Sequence, residues 1–159
     1  MLEKVNIYMG EFKVAKNPTI LQAIGLGSCV SACIFDRSTK IGAMCHIMHS
    51  DSSLAKEKIN LYRFADQAIE AMVKEMLKLG CHTRSMVAKV FGGASMFQNV
   101  LSLNKIGEDN VKVVIEKLKS HDIKVIAKDV GGTVGRSIWF DTTDGSVVVS
   151  QINGPTREM

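Results

Sequence analysis

Two prolines, one tryptophan and an aromatic content of 6% are small numbers for a chain of 159 residues, and each shortage excludes something. So little proline rules out collagen-like and proline-rich linker sequence. So few aromatics leave few platforms on which single-stranded bases could stack, and the basic residues are scattered rather than gathered in a run, so nucleic-acid binding is not expected. Charge of one sign is not in excess either. Lys and Arg number 20 against 16 Asp and Glu, a net +4 that bears on solubility more than on partners. The apolar stretch Ala23 to Phe35 carries two glycines and two serines, too polar and too short for a membrane span of about 20 residues, so no membrane insertion is expected. Met1-Leu2-Glu3-Lys4-Val5 lacks the basic leader and apolar run of a signal peptide, which points to the cytoplasm. There, four cysteines (Cys29, Cys33, Cys45 and Cys81) are expected to be reduced, each a core filler, a metal ligand or a nucleophile.

What is present is a globular composition, 46% apolar and 23% charged, in a length that suits a single domain over residues 1–159. Val5 to Val14 alternate around Gly10 and read as one strand kinked at the glycine. Thr19 to Phe35, apolar, rich in small residues and broken by Gly25-Leu26-Gly27-Ser28, reads as a loop that feeds a buried strand from Cys29 to Phe35. A turn at Asp36-Arg37-Ser38-Thr39 then leads to a partner strand from Lys40 to Met48. Leu61, Phe64, Ala65, Ala68, Ile69, Met72, Val73 and Met76 recur at helical spacing, closed by Leu79-Gly80. A strand at 86–91, a helix at 108–120 with Val111, Val114, Ile115 and Leu118 on one face, a strand at 123–127 and a hairpin at 137–151 complete the pattern. A tail beyond Asn153 should fray. The order β, ββ, α, β, α, β, ββ predicts a layered α/β domain, with a mixed β-sheet and two main helices on one face.

Within this pattern one pair of residues could carry chemistry. A four-residue loop at 36–39 pairs Phe35 with Lys40 and sets Cys29 directly opposite His46. Facing residues have Cβ atoms about 4.5 to 5.5 Å apart, close enough to share a proton. Cys45 then points to the other face, opposite Val30. Cys29 follows Gly25-Leu26-Gly27-Ser28, where glycine lets the chain turn sharply and leaves N–H groups of the Gly27-Ser28-Cys29 turn free to hold an oxyanion. His46, with an ordinary pKa of about 6.5, suits the part of base. Against catalysis stands the reading of Cys29 as a small core residue and of His46 as a satisfied histidine.

Metal binding by Cys29, Cys33, Cys45, His46 and His49 is disfavoured, because Cys29-x3-Cys33 lies inside a strand and Cys45 and His46 point to opposite faces. The glycine-rich segment Gly131-Gly132-Thr133-Val134-Gly135-Arg136 lacks the Lys-Ser/Thr of a P-loop, and Arg136 reads equally as a surface charge or an anion contact.

The order and spacing of Gly25-Leu26-Gly27-Ser28-Cys29-Val30, Ile41-Gly42-Ala43-Met44-Cys45-His46-Ile47-Met48, Gly92-Gly93-Ala94-Ser95-Met96-Phe97 and Asp129-Val130-Gly131-Gly132 through Gly135-Arg136 resemble the CheD family of chemoreceptor glutamine deamidases over nearly the whole chain. The resemblance implies an α/β fold related to toxin-type cysteine deamidases. It also implies hydrolysis of selected glutamine side chains on methyl-accepting chemotaxis receptors to glutamate, with release of ammonia, no cofactor, and a CheC-type phosphatase as a further partner. Cys29 matches the family nucleophile and His46 the base. The family's third member is a threonine six positions before the cysteine, where this chain has Ala23, so Gln22 or a backbone carbonyl is left to orient His46. The competing expectation is an adaptor that binds receptors or the phosphatase without turnover, docking through Met96 and Phe97, a pair that could equally plug the core.

Overall fold

Strands whose every residue is apolar, small or hydrogen-bonded must be covered on both faces, and two segments of this chain have that character. In the computed structural model, which describes residues 2–55, 60–96 and 101–159, they are β4 (Val30–Asp36) and β5 (Ile41–His46), buried along their whole length. They form the middle of a five-stranded sheet with β2 (Glu11–Lys16), β6 (Met86–Gly92) and β7 (Lys124–Val130), in the order β2-β5-β4-β6-β7. A second sheet holds β1 (Glu3–Asn6), β3 (Thr19–Leu26), β8 (Arg136–Asp141), β9 (Val147–Gln151) and β10 (Thr156–Glu158), in the order β1-β3-β8-β9-β10. Both sheets are mixed, with β1 parallel to β3 and β6 parallel to β7.

Two helices, α1 (Ala65–Lys78) and α2 (Leu101–Ser120), cover the free face of the first sheet, so the layers run sheet, sheet, helices. Alternation assigns each side chain of β4 and β5 to a layer. Val30, Ala32, Ile34, Ile41, Ala43 and Cys45 pack toward the helices, against Ala68, Ile69, Met72 and Val114. Cys33, Phe35 and Met44 pack toward the second sheet, against Leu21, Ala23, Ile138 and Phe140, and Cys29 packs on the same side. Gly42 is required there, since a Cβ would run into the ring of Phe140 and the methyl of Thr142. In α1 the buried positions Ala65, Ala68, Ile69, Met72, Val73 and Met76 repeat at helical spacing. Its end is a Schellman closure: Gly80 at φ +93° donates to the Leu77 carbonyl and Cys81 to the Met76 carbonyl.

The α/β class and the two helices on one face are as the sequence predicts, while the strands divide between two sheets. Residues 5–14 are not one kinked strand. A turn at Tyr8 to Glu11, with Gly10 at φ +82°, sends β1 and β2 into different sheets. The stretch before Cys29, expected to be a loop, holds strand β3 from Thr19 to Leu26, α2 begins earlier than residue 108, and the tail is not frayed. Thr156 to Glu158 pair with β9, and Met159 and Val147 exchange backbone hydrogen bonds of 2.8 Å.

The β4–β5 hairpin keeps its four-residue loop, but the loop is 37–40, with Asp36 paired to Ile41. The cause is Asp36. Its buried carboxylate accepts from Ser38 N and Oγ (both 2.8 Å), Thr39 N (3.3 Å), Ser85 Oγ (2.9 Å) and His82 N (3.1 Å), so it is the last residue of the strand and not the first of the turn. Burial alone would push this carboxyl up, yet the hydrogen bonds outweigh it and hold it well below the usual carboxylate range. Asp36→Ala should therefore cost about 2–4 kcal/mol, read from denaturant unfolding midpoints, because buried donors lose their acceptor. The wild-type advantage should be complete above about pH 4, where an unfolded aspartate is ionised, and shrink as pH falls toward the depressed native value. Equal midpoints for the two proteins at pH 7 would contradict it.

Candidate active site

Moving the loop by one residue shifts the pairing by two, which preserves the face of every side chain and changes its partner. By the pairings Cys33 with Met44 and Val30 with Ile47, the residue across from His46 is Ser31, not Cys29. Cys29 lies one diagonal step along the same face, a spacing of about 7–8 Å between such neighbours. The expected direct opposition is thus corrected, and the expected common face is retained. Cys29 and His46 line one cleft of about 210 Å³ at the mouth between the two sheets, bounded also by Asn6, Ile7, Tyr8, Met9, Gln22, Ile24 and Gly25.

His46 is 6% exposed, and its Nδ1 lies 3.0 Å from the carbonyl oxygen of Ile7. A carbonyl only accepts, so Nδ1 carries the proton and, in the neutral ring, Nε2 carries the lone pair. Burial pushes the His46 pKa down, only partly opposed by the Ile7 carbonyl and by Glu11, its partner across β2. Cys29 is half-buried, and burial pushes its thiol up while its own backbone N–H favours the thiolate. Both effects favour a neutral thiol beside a neutral imidazole over a resident ion pair.

Orientation of His46 by Gln22 is corrected. Gln22 Nε2 donates instead to Asn6 Oδ1 at 2.6 Å, and the backbone carbonyl that serves is that of Ile7. Ala23 points into the layer between the sheets, 1% exposed among Leu21, Leu26 and Ile138.

The three glycine-rich segments converge on Cys29. Gly93 N donates to the Cys29 carbonyl (2.9 Å) and Ala94 N to the Gly27 carbonyl (2.8 Å); Gly131 N donates to Gly92 O (2.9 Å) and Ser95 N to Gly132 O (2.8 Å). Gly92, at φ +104°, has no room for a side chain, since a Cβ would overlap the Cys29 carbonyl oxygen. Arg136 is neither a surface charge nor an anion contact. It is buried, with Nη1 on the Asp129 carboxylate (2.5 Å) and carbonyl (2.7 Å) and Nη2 on the carbonyls of Gly131 and Val134, which clamps the third loop. Met96 is 45% exposed, and a Cβ on Gly27 would stand 3.3 Å from its Cγ, so it borders the turn before Cys29; Phe97 lies outside the described residues.

Two contributors escape the sequence reading. The Ile7 carbonyl has no side-chain signature. Asn110 of α2, 1% exposed, donates through Nδ2 to the carbonyls of Ser28 (3.2 Å) and Met48 (2.9 Å), and its signal was a polar residue four positions before Val114 and eight before Leu118 on the buried stripe. Cys33 and Cys45 sit on opposite faces of the first sheet, both fully buried. Among the described residues no helix is long and apolar enough to cross a membrane.

Fold and cleft together define a layered α/β protein in which a half-buried thiol and a buried imidazole open on one cleft, an arrangement suited to acyl transfer through sulfur. The sequence matches the family described as CheD chemotactic sensory transduction over residues 48–151. It is 39% identical over 159 residues, 99% of each chain, to a protein of Syntrophomonas wolfei. It is 36% identical over 157 residues, 98% of each chain, to one of Thermococcus kodakarensis, and 37% identical over 160 residues, 99% of each chain, to one of Clostridium botulinum strain Hall. Each of the three is named as a probable chemoreceptor glutamine deamidase CheD. The chain belongs to the CheD family.

A neutral pair makes its own prediction for reactivity. Iodoacetamide should alkylate Cys29 in preference to the buried thiols, at a rate that climbs through and beyond the ordinary thiol range near pH 8.5. His46→Ala should slow that reaction at least about 10-fold at pH 7 and leave it unchanged near pH 10, where hydroxide removes the proton. Superimposable pH profiles for wild type and His46→Ala would mean that the two side chains do not exchange a proton.

Proposed function

We propose that this protein is a chemoreceptor glutamine deamidase, hydrolysing selected glutamine side chains of chemotaxis receptors to glutamate with release of ammonia. The single observation that carries the reading is Cys29 and His46 on one cleft, with Nδ1 of His46 committed to the Ile7 carbonyl and Nε2 left as a base. Membership of the CheD family and the names of the relatives support the substrate. The protein works in the cytoplasm as one domain over residues 1–159, against the cytoplasmic region of a receptor, and a CheC-type phosphatase is its second partner.

In the reaction, Cys29 Sγ attacks the carboxamide carbon as Nε2 of His46 takes the thiol proton. The carbonyl oxygen becomes an oxyanion held by the N–H of Cys29 in the Gly27-Ser28-Cys29 turn. Collapse breaks the carbon–nitrogen bond, and the imidazolium returns its proton to the leaving nitrogen, which departs as ammonia. Water, deprotonated by His46, then attacks the thioester, the carbon–sulfur bond breaks and the imidazolium proton returns to Cys29 Sγ; the carboxylic acid formed passes its proton to the released ammonia, leaving glutamate and ammonium. Water is consumed, ammonia is released, and no electrons are gained or lost. Because burial pushes the His46 pKa below its ordinary value of about 6.5, the acid limb of the rate should lie on the acid side of that value.

Incubation with a receptor cytoplasmic fragment tests the reading directly. Wild type should add about one mass unit per glutamine converted and release ammonia, whereas Cys29→Ala and His46→Ala should lose at least about 10²-fold in rate. If Cys29→Ala converts glutamine as fast as wild type, the nucleophile is elsewhere; if the folded wild type converts none while binding the fragment, the adaptor reading through the Met96 surface takes its place.

Ala23→Thr tests the third position. The imidazole already has its acceptor and Ala23 faces a packed layer, so restoring the hydroxyl should give no faster ammonia release and should cost about 1–3 kcal/mol of stability. A rate gain in a folded Ala23→Thr protein would show that the Ile7 carbonyl is an incomplete substitute.

A further inference from the structure

Beyond Val30 and Ile47 the β4–β5 ladder stops, and among the described residues the carbonyls of Ser28 and Met48, just past its end, take no backbone donor across the sheet. One of these segments carries Cys29 and the other follows His46. Asn110 reaches both. Its two acceptors are carbonyl oxygens, so the atom between them must be the amide nitrogen, whose two hydrogens serve one carbonyl each. The residue is 1% exposed and stands on the buried stripe of α2 between Gly107, packed on Gly93, and Val114. A polar side chain so placed must have its hydrogen bonds, and these two are the ones α2 can offer to the site.

We infer that Asn110 is a positioning residue of the Cys29–His46 site, acting through the peptide between Ser28 and Cys29. This rests on the deamidase reading above. The Ser28 carbonyl and the Cys29 N–H belong to one planar unit, in which the two bonds point in opposite directions. Pulling the carbonyl toward α2 therefore turns the Cys29 N–H away from α2, to the side of the peptide on which its own sulfur lies. The second hydrogen ties the same helix to Met48, two residues past His46, and so holds the nucleophile's segment and the base's segment at one spacing where no ladder rung remains. The Gly93–Cys29 and Ala94–Gly27 hydrogen bonds secure the carbonyls on either side of that peptide, and among the described residues it is Asn110 that holds the Ser28–Cys29 plane itself. Residues that aim an oxyanion donor act on turnover more than on substrate binding.

Ammonia release from a receptor cytoplasmic fragment, run well below the melting temperature of each variant, separates this role from packing. Asn110→Ala should lower kcat by roughly 10- to 100-fold with KM within about 3-fold of wild type. Asn110→Asp fills the same space without the donors and should lose as much. Val114→Ala, one turn along the same buried stripe, should keep kcat within about 3-fold even where its melting temperature falls further than that of Asn110→Ala. Full kcat in Asn110→Asp, or an equal kcat loss in Val114→Ala, would overturn the inference and leave the deamidase reading intact. Activity in Cys29→Ala equal to wild type would instead overturn the reading on which the inference stands.

Discussion

The two middle strands of the first sheet, β4 and β5, have no solvent face, and most of what is unusual in the chain follows from that. With the second sheet on one side and two helices on the other, β4 and β5 can carry only side chains that are apolar, small or fully hydrogen-bonded. His46 is tolerated at the end of β5 because Ile7, in the turn that carries the chain from one sheet to the other, offers it a carbonyl. The catalytic candidates therefore sit where a two-sided burial gives out: at the last residue of one strand and just before the first residue of its neighbour. Burial supplies the neutral imidazole, and the end of the burial supplies the opening.

Glycine has a second task at that edge. The segments around Gly27, Gly92 and Gly131 are far apart in sequence and are hydrogen-bonded to one another in space, with the Asp129–Arg136 pair locking the outermost. Main-chain groups can approach this closely only without a Cβ between them, as the overlap at Gly92 with the Cys29 carbonyl shows. A cysteine whose own carbonyl is held by a backbone hydrogen bond from a neighbouring loop has little freedom to withdraw, and the proposed role of Cys29 as nucleophile calls for that rigidity.

How much of this could be read from residues alone depends on the range of the interaction involved. Helix α1 was legible because its apolar positions and Gly80 are local signals. The common face of Cys29 and His46 was legible because side-chain direction depends only on the parity of the register. The partner of His46 was not, because Asp36, beside its local bonds from Ser38 and Thr39, is held in the strand by Ser85 and His82, nearly fifty residues away, and no turn rule contains those two. Division of the strands into two sheets depends on which edge β1 and β2 join, a choice made by long-range pairing after the turn at Gly10. The third group behind His46 could not be identified, since a carbonyl belongs to every residue and only the fold selects Ile7.

An imidazole whose acceptor is a backbone carbonyl, as that of His46 is, limits what mutation can alter. A threonine hydroxyl can be lost or gained by one mutation, but the Ile7 carbonyl is displaced only by moving the turn between β1 and β2, which is itself held by Ile7 N on Gln22 O and Gly10 N on His46 O, both 2.8 Å. The histidine thus takes part in a closed circuit: its own carbonyl fixes Gly10, the turn containing Gly10 presents Ile7, and Ile7 fixes the ring. In such a circuit position 23 is free of any duty toward the imidazole, and a small apolar residue serves the inter-sheet core better than a buried hydroxyl would. Alanine at that position is then a packing choice, compatible with an intact Cys–His site.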